Sequence, residues 1–330
     1  MSAVQLTPKD LKSDQEVRWC PGCGDYAILN ATQAALAEIG VPREQMTIIS
    51  GIGCSSRFPY YMGCYGFHGI HGRAAAIATG TKTANPDLSV WVVTGDGDAM
   101  SIGGNHLIHA MRRNVDLKIL MFNNQIYGLT KGQYSPTSPA GQKTKTSPYG
   151  SVDLPFNPIN LALGSGATFV ARTVDTNPKH IKSILLAAAA HKGLAFVEIW
   201  QNCVIFNDGA WKDWSTKDAR AERTIDLQPG QPLVWGKENE KGLRISGGEV
   251  EVVAAADADV WDPTTAAPLA YIMAYLDERE DLPHALGIFR QHDKPTYDGA
   301  VKAQVDALTA KKGKGDLEKL IYTKDAWRVG

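Results

Sequence analysis

From Gln45 to Trp200, short runs of apolar, mostly β-branched residues alternate with longer segments of helical spacing. QMTIIS, LSVWVVTGDGD, VDLKILMFNNQIYG, GATFVART and GLAFVEIWQN read as buried strands. DYAILNATQAALAEIG (25–40), HGRAAAIATGTKTANP, AMSIGGNHLIHAMRRN and NPKHIKSILLAAAAHK read as helices, the first closed by a glycine and the second by a proline. Strands that are apolar throughout and separated by helices need cover on both faces. The expected fold class is therefore α/β: a mostly parallel sheet with helices on both sides. GIGCSSR reads as a loop. YSPTSPAGQKTKTSPYGSVD is a long loop of a kind that is usually functional or mobile. After Phe206 the alternation weakens: PLVWGKENEKGLRISGGEVEVV suggests a hairpin and TTAAPLAYIMAYLDERED a helix. The expected organisation is a main domain over 1–206 and a C-terminal extension, 207–330, packed on it.

The chemically active residues follow the strands. Cys54 comes after MTIIS, Asp96 after VWVVT, Asn123 and Asn124 after KILMF, and Cys203 after AFVEIW. An open parallel sheet binds ligands at the carboxyl ends of its strands. Two cysteines, a carboxylate and a side-chain amide are thus predicted on one rim.

Within GDGD (95–98), Asp96 offers a hard oxygen, and the glycines beside it let backbone approach a bulky anion. The helix that follows points its amides toward that anion. Asn124 adds a neutral oxygen, and the turn after it can expose the Ile126 carbonyl. Mg²⁺ takes such oxygens together with cofactor phosphates, so the pattern reads as a Mg²⁺–diphosphate clamp. A lone GDG would be an ordinary turn. GDG followed by NN at this spacing resembles the signature of thiamine diphosphate enzymes, which implies Asp96, Asn124 and the carbonyl of Ile126 as Mg²⁺ ligands.

The chain has five cysteines, an odd count without a leader-like apolar segment, which argues against a disulfide framework and for a reducing, cytoplasmic setting. No apolar run is long enough to span a bilayer. A net charge of −1 gives no electrostatic case for nucleic acid. Cys20 and Cys23 form a CxxC in WCPGCGDY; Cys54 and Cys203 are single. From spacing alone the four suit an iron–sulfur cluster, a zinc site or unrelated buried thiols.

WCPGCGDY, GIGCSSR, HGRAAAIATGTK, GDGD, NNQIYGLTKGQYSPTS and a late cysteine follow one another in this order. Together they resemble the β subunit of the 2-oxoacid:ferredoxin oxidoreductases over about Arg18 to Asn207. The resemblance implies a thiamine-diphosphate-binding fold and a [4Fe–4S] cluster on Cys20, Cys23, Cys54 and Cys203. It implies cofactor contacts from Ile52, Gly53, Cys54, Ser55, His71, Gly97, Asp98, Gly128 and Leu129. The implied reaction converts a 2-oxoacid and coenzyme A to acyl-CoA and CO₂, passing electrons through the cluster to ferredoxin. In the family, the glutamate that serves the cofactor's aminopyrimidine comes from an α subunit, so an α partner is expected. Arg57 and Lys131 are candidate cations for a substrate carboxylate, which favours 2-oxoglutarate over pyruvate. Cys64 reads as a small buried residue; His68, His106 and His109 carry no ligand pattern. Competing readings are a non-redox thiamine diphosphate lyase and a non-catalytic module, each with structural zinc.

Overall fold

A computed structural model of the chain describes residues 4–264, 267–327 and 329. The main sheet has eight strands. These are β1 (Met46–Ser50), β2 (Tyr65–His68), β3 (Ser89–Gly95), β4 (Lys118–Asn123), β5 (Phe169–Val174), β6 (Ala195–Trp200), β7 (Thr224–Leu227) and a late strand His284–Gln291, in the order β2-β1-β3-β4-β6-β5-(284–291)-β7. Every pairing from β2 through β5 is parallel. The strands that carry Cys54, Asp96, the Asn pair and Cys203 at their carboxyl ends are β1, β3, β4 and β6, four consecutive neighbours. The expected shared rim is therefore present.

Alternate side chains of each strand enter two separate cores. Val90, Val92, Ile119 and Met121 pack under the helix Ala74–Ala84 and its companions, whereas Trp91, Val93, Leu120 and Phe122 face the opposite layer. In chain order the helices are α1 (Asp25–Ile39), α2 (Ala74–Ala84), α3 (Asp96–Met100), α4 (Gly104–Arg113), α5 (Pro158–Gly164) and α6 (Pro178–Ala190). α2, α4 and α5 cover one face; α1 and α6 cover the other. α1 ends where Gly40 turns left-handed, with φ 70°, a conformation that costs glycine little.

Three local features differ from the sequence expectation. The stretch expected as one helix after GDGD breaks between α3 and α4. There Gly103 packs so close to Gly72 that a Cβ on Gly72 would stand 2.4 Å from the Gly103 nitrogen. α5 was not anticipated; Asn157 caps it through the Asn160 amide and Pro158 opens it. Residues 207–330 contribute more than cover. Strand His284–Gln291 pairs antiparallel with β5 and parallel with β7, so the sheet continues into the C-terminal third. The expected hairpin is Lys241–Ser246 with Glu249–Ala254, turning through Gly247 and Gly248 at φ 61° and 89°, and Val234–Trp235 adds a third strand. The expected helix in this region, from Thr264 on, covers Ala267–Ala274; residues 265–266 of its expected first turn lie outside the described residues.

His284 lies between Trp200 and Trp214, with ring centroids 5.9 and 4.4 Å away, and its Nδ1 has no partner. Burial, then the Arg172 charge, hold its pKa down at about 4. Its unfolded value lies near 6.5. Between these values the unfolded chain binds the proton more readily, so this contribution is full above about pH 6.5 and lost as pH falls toward 4. His284→Phe keeps an aromatic ring against both tryptophans and removes the titration. The drop in melting temperature from pH 7 to pH 5 should be smaller in the variant than in the parent, and an equal drop would refute the assignment.

Candidate functional site

A cleft of about 230 Å³ opens above the carboxyl ends of β1, β3 and β4. Ile52, Gly53, Cys54, Ser55, His71, Asp96, Gly97, Asp98, Asn124, Ile126, Gly128 and Leu129 all line it. A roomier recess of about 420 Å³ sits at the opposite edge of the sheet. There Lys82, Lys118 and Lys192 all pair with the single carboxylate of Asp116.

Asp96 is buried on the cleft floor. Its Oδ2 accepts from Ser135 Oγ at 2.5 Å and from Thr137 Oγ1 at 2.6 Å. Burial pushes its pKa up to about 6 despite these donors. No lysine or arginine pairs with it among the described residues, so a divalent cation would supply the missing counter-charge. Gly97 has no room for a side chain: a Cβ would stand 2.2 Å from the Tyr127 ring. Asn124 Oδ1 accepts from Ile126 N at 3.2 Å, which shapes the turn that carries the Ile126 carbonyl.

Asp98 lines the cleft but spends its carboxylate on the protein. Oδ1 accepts from Ile52 N at 3.1 Å and Gly72 N at 2.7 Å; Oδ2 accepts from Thr94 Oγ1 at 2.7 Å. It ties the Cys54 loop and the His71 turn to the end of β3. Behind Asp96, Thr137 also reaches Asn123 Oδ1 at 2.9 Å, and Asn123 Nδ2 donates to Glu198 at 2.7 Å. Glu198 in turn accepts from Arg172 Nε at 2.7 Å, both side chains being buried. A polar spine thus runs from β3 across β4 and β6 to β5.

Two of the cysteines, Cys54 and Cys203, come together beside the cleft. A Cβ on Gly128 would lie 3.5 Å from Cys203 Sγ and 3.6 Å from Cys54 Sγ, so both thiols face the space that this glycine leaves. Cys20 and Cys23 share one turn, with Cys23 N donating to the Cys20 carbonyl at 3.1 Å. Burial, then the Asp25 charge, push the Cys54 thiol up to about 12. The same two causes raise Cys23. Burial of this kind favours the neutral thiol, and the positive core of an iron–sulfur cluster would reverse that preference. All five cysteines are free. As the side chains stand, no three His, Cys, Asp or Glu among the described residues form a group that could hold a metal ion.

Arg57 and Lys131, expected to face the substrate, are not among the lining residues. Arg57 Nε donates to Tyr61 Oη at 2.9 Å, and its guanidinium lies 5.9 Å from the Tyr60 ring centroid. Lys131 is exposed at φ 77°. Sequence reasoning missed Ser135, Thr137 and Gln201. The first two lie in the quoted YSPTS run, where a loop already suspected of function was the available signal. No glutamate lines the cleft among the described residues.

Residues 51–199 match the model of the thiamine pyrophosphate enzyme C-terminal TPP binding domain. Over its length the chain is 53% identical to the 2-oxoglutarate oxidoreductase subunit KorB of Mycobacterium tuberculosis, covering 97% of this chain and 88% of that protein. The chain belongs to the β subunits of the 2-oxoacid:ferredoxin oxidoreductases. This β subunit is also 45% identical to the 2-oxoacid:ferredoxin oxidoreductase subunit beta of a Sulfolobus species, over 68% of its own length and 74% of the relative's. Its fold matches the 2-oxoglutarate:ferredoxin oxidoreductase of Magnetococcus marinus, solved with 2-oxoglutarate, coenzyme A and succinyl-CoA bound. The TM-score is 0.77 at 35% identity, and the match covers 97% of this chain and 96% of that one. The expected fold and family both stand, and this β subunit is one component of a multi-subunit enzyme. Among the described residues no helix is long and apolar enough to cross a membrane.

Proposed function

We propose that this β subunit serves a 2-oxoglutarate:ferredoxin oxidoreductase that forms succinyl-CoA and CO₂ together with an α subunit. One observation carries the reading: the GDG turn, the NNQIY turn and the Cys54 loop line a single cleft in a chain of this family. Asp96, Asn124 and the Ile126 carbonyl are assigned to Mg²⁺ and through it to the diphosphate of thiamine diphosphate. Ile52, Gly53, Ser55, His71, Gly97, Gly128 and Leu129 are assigned to the cofactor's walls, and Asp98 to holding two of those walls in place. Cys20, Cys23, Cys54 and Cys203 are assigned to a [4Fe–4S] cluster.

When bound, thiamine diphosphate supplies the electron sink for decarboxylation, and the cluster accepts the electrons that pass to ferredoxin. The chain's own residues neutralise and orient: the buried Asp96 carboxylate would offer charge to the metal, and the close packing of Gly97 against Tyr127 would fix the turn that carries it. The absence of a lining glutamate supports an α subunit that completes the site. The names of the Mycobacterium and Magnetococcus relatives support 2-oxoglutarate. Arg57 lies two residues after the lining Ser55 and Lys131 directly follows the lining Thr130; both remain assigned to the distal carboxylate, which one of them would have to turn inward to reach. The cytoplasm is the proposed compartment.

The test is a steady-state assay of the assembled enzyme with coenzyme A and a ferredoxin or viologen acceptor. kcat/KM for 2-oxoglutarate should exceed that for pyruvate by at least about tenfold, since a missing charge partner costs that much or more. A preference for pyruvate would overturn the substrate assignment.

A further inference from the structure

We infer that Gln201 is a positioning residue that joins the metal-binding turn to the cysteine nest, so that one side chain sets both the coenzyme's metal site and the electron acceptor's potential. The inference rests on the Mg²⁺ and [4Fe–4S] assignments above.

Gln201 follows β6 and is only 2% exposed. Its backbone N donates to the Asn123 carbonyl at 2.9 Å. Its side-chain Oε1 accepts from Asn124 Nδ2 at 2.8 Å. Its Nε2 donates to Cys23 Sγ at 3.4 Å and to the Asn202 carbonyl at 2.5 Å.

The orientation of this amide is fixed from both ends. Asn124 Oδ1 accepts from Ile126 N, so its Nδ2 must face Gln201. The Asn202 carbonyl can only accept, so Gln201 must present its nitrogen there. The sulfur of Cys23 therefore receives an N–H rather than a carbonyl oxygen. A donor aimed at a cluster thiolate favours the reduced, more negative state and raises its potential. The acceptor end of the same amide holds Asn124 in the rotamer that keeps its Oδ1 on the Ile126 turn.

Gln201→Leu removes both interactions. In the assembled, anaerobically purified enzyme two quantities are read: the Mg²⁺ concentration that half-saturates thiamine diphosphate binding, and the cluster midpoint potential from an EPR-monitored redox titration. The Mg²⁺ requirement should rise about tenfold. The one-electron equilibrium should shift about tenfold toward the oxidised cluster, a fall of about 59 mV. Val197→Ala, on the same strand but touching neither site, should leave both quantities in place while lowering the melting temperature. Where Gln201→Leu does not fold, Gln201→Met is read in the same way.

Failure of either quantity to move in a folded variant overturns the inference, as does an equal shift in Val197→Ala. A parent enzyme that contains no iron, or binds thiamine diphosphate without Mg²⁺, instead sinks the assignments beneath it.

Discussion

Asp96→Ala should weaken Mg²⁺-dependent thiamine diphosphate binding at least about a hundredfold, a loss of roughly 2.7 kcal/mol. Asp96 is the charged member of the proposed ligand set; the others are an amide and a backbone carbonyl. Its two hydroxyl partners, Ser135 and Thr137, orient the carboxylate but cannot replace it. Calorimetric titration of cofactor-free enzyme with thiamine diphosphate at fixed Mg²⁺ measures the effect, and a loss under tenfold would count against the clamp. The same variant separates a lost ligand from a damaged fold. The buried carboxyl, held up at about pKa 6, is a desolvated group in the metal-free protein. Its removal should leave the cofactor-free melting temperature close to the parent's.

Cys54→Ser should remove most of the iron from the enzyme, from about four atoms per chain toward none. Cys54 both lines the cleft and faces the space beside Gly128 with Cys203, so it links the coenzyme to the sulfur nest. Acceptor-linked turnover should fall more than about a hundredfold, because the electrons lose their first stop. Iron analysis and the reduced-state EPR signal report the loss. Cys64→Ser is the matched control. Cys64 packs with the apolar layer around Tyr61 and Met62, and its iron content should equal the parent's. Full iron in Cys54→Ser would remove that residue from the ligand set.

The rim was legible because two local signals agreed. Strand periodicity located the ends of β1, β3, β4 and β6, and the residues just past those ends were chemically distinctive. Sequence order does not reveal which strands are neighbours, yet these four are consecutive in the sheet, as a parallel α/β topology favours. What stayed hidden was non-local. Nothing near Ser135 or Thr137 marks them as partners of Asp96, some forty positions earlier. Gln201 looks like any polar residue after a strand until Asn124 and Cys23 are seen on either side of it. Arg57 was placed by its chemistry, whereas its position is set by Tyr61 one helical turn ahead. The strand at 284–291 escaped notice because its pairing partner, β5, lies more than a hundred residues upstream.

That late strand bears on how the molecule can be divided. It sits between β5 and β7, and Arg172 of β5 donates to the Ala285 carbonyl within it. Cutting the chain after Phe206 would bare the flank of β5 and leave a ladder of unpaired amides and carbonyls open to any passing strand. The coenzyme region is therefore not a detachable cassette: the far end of the polypeptide seals its sheet.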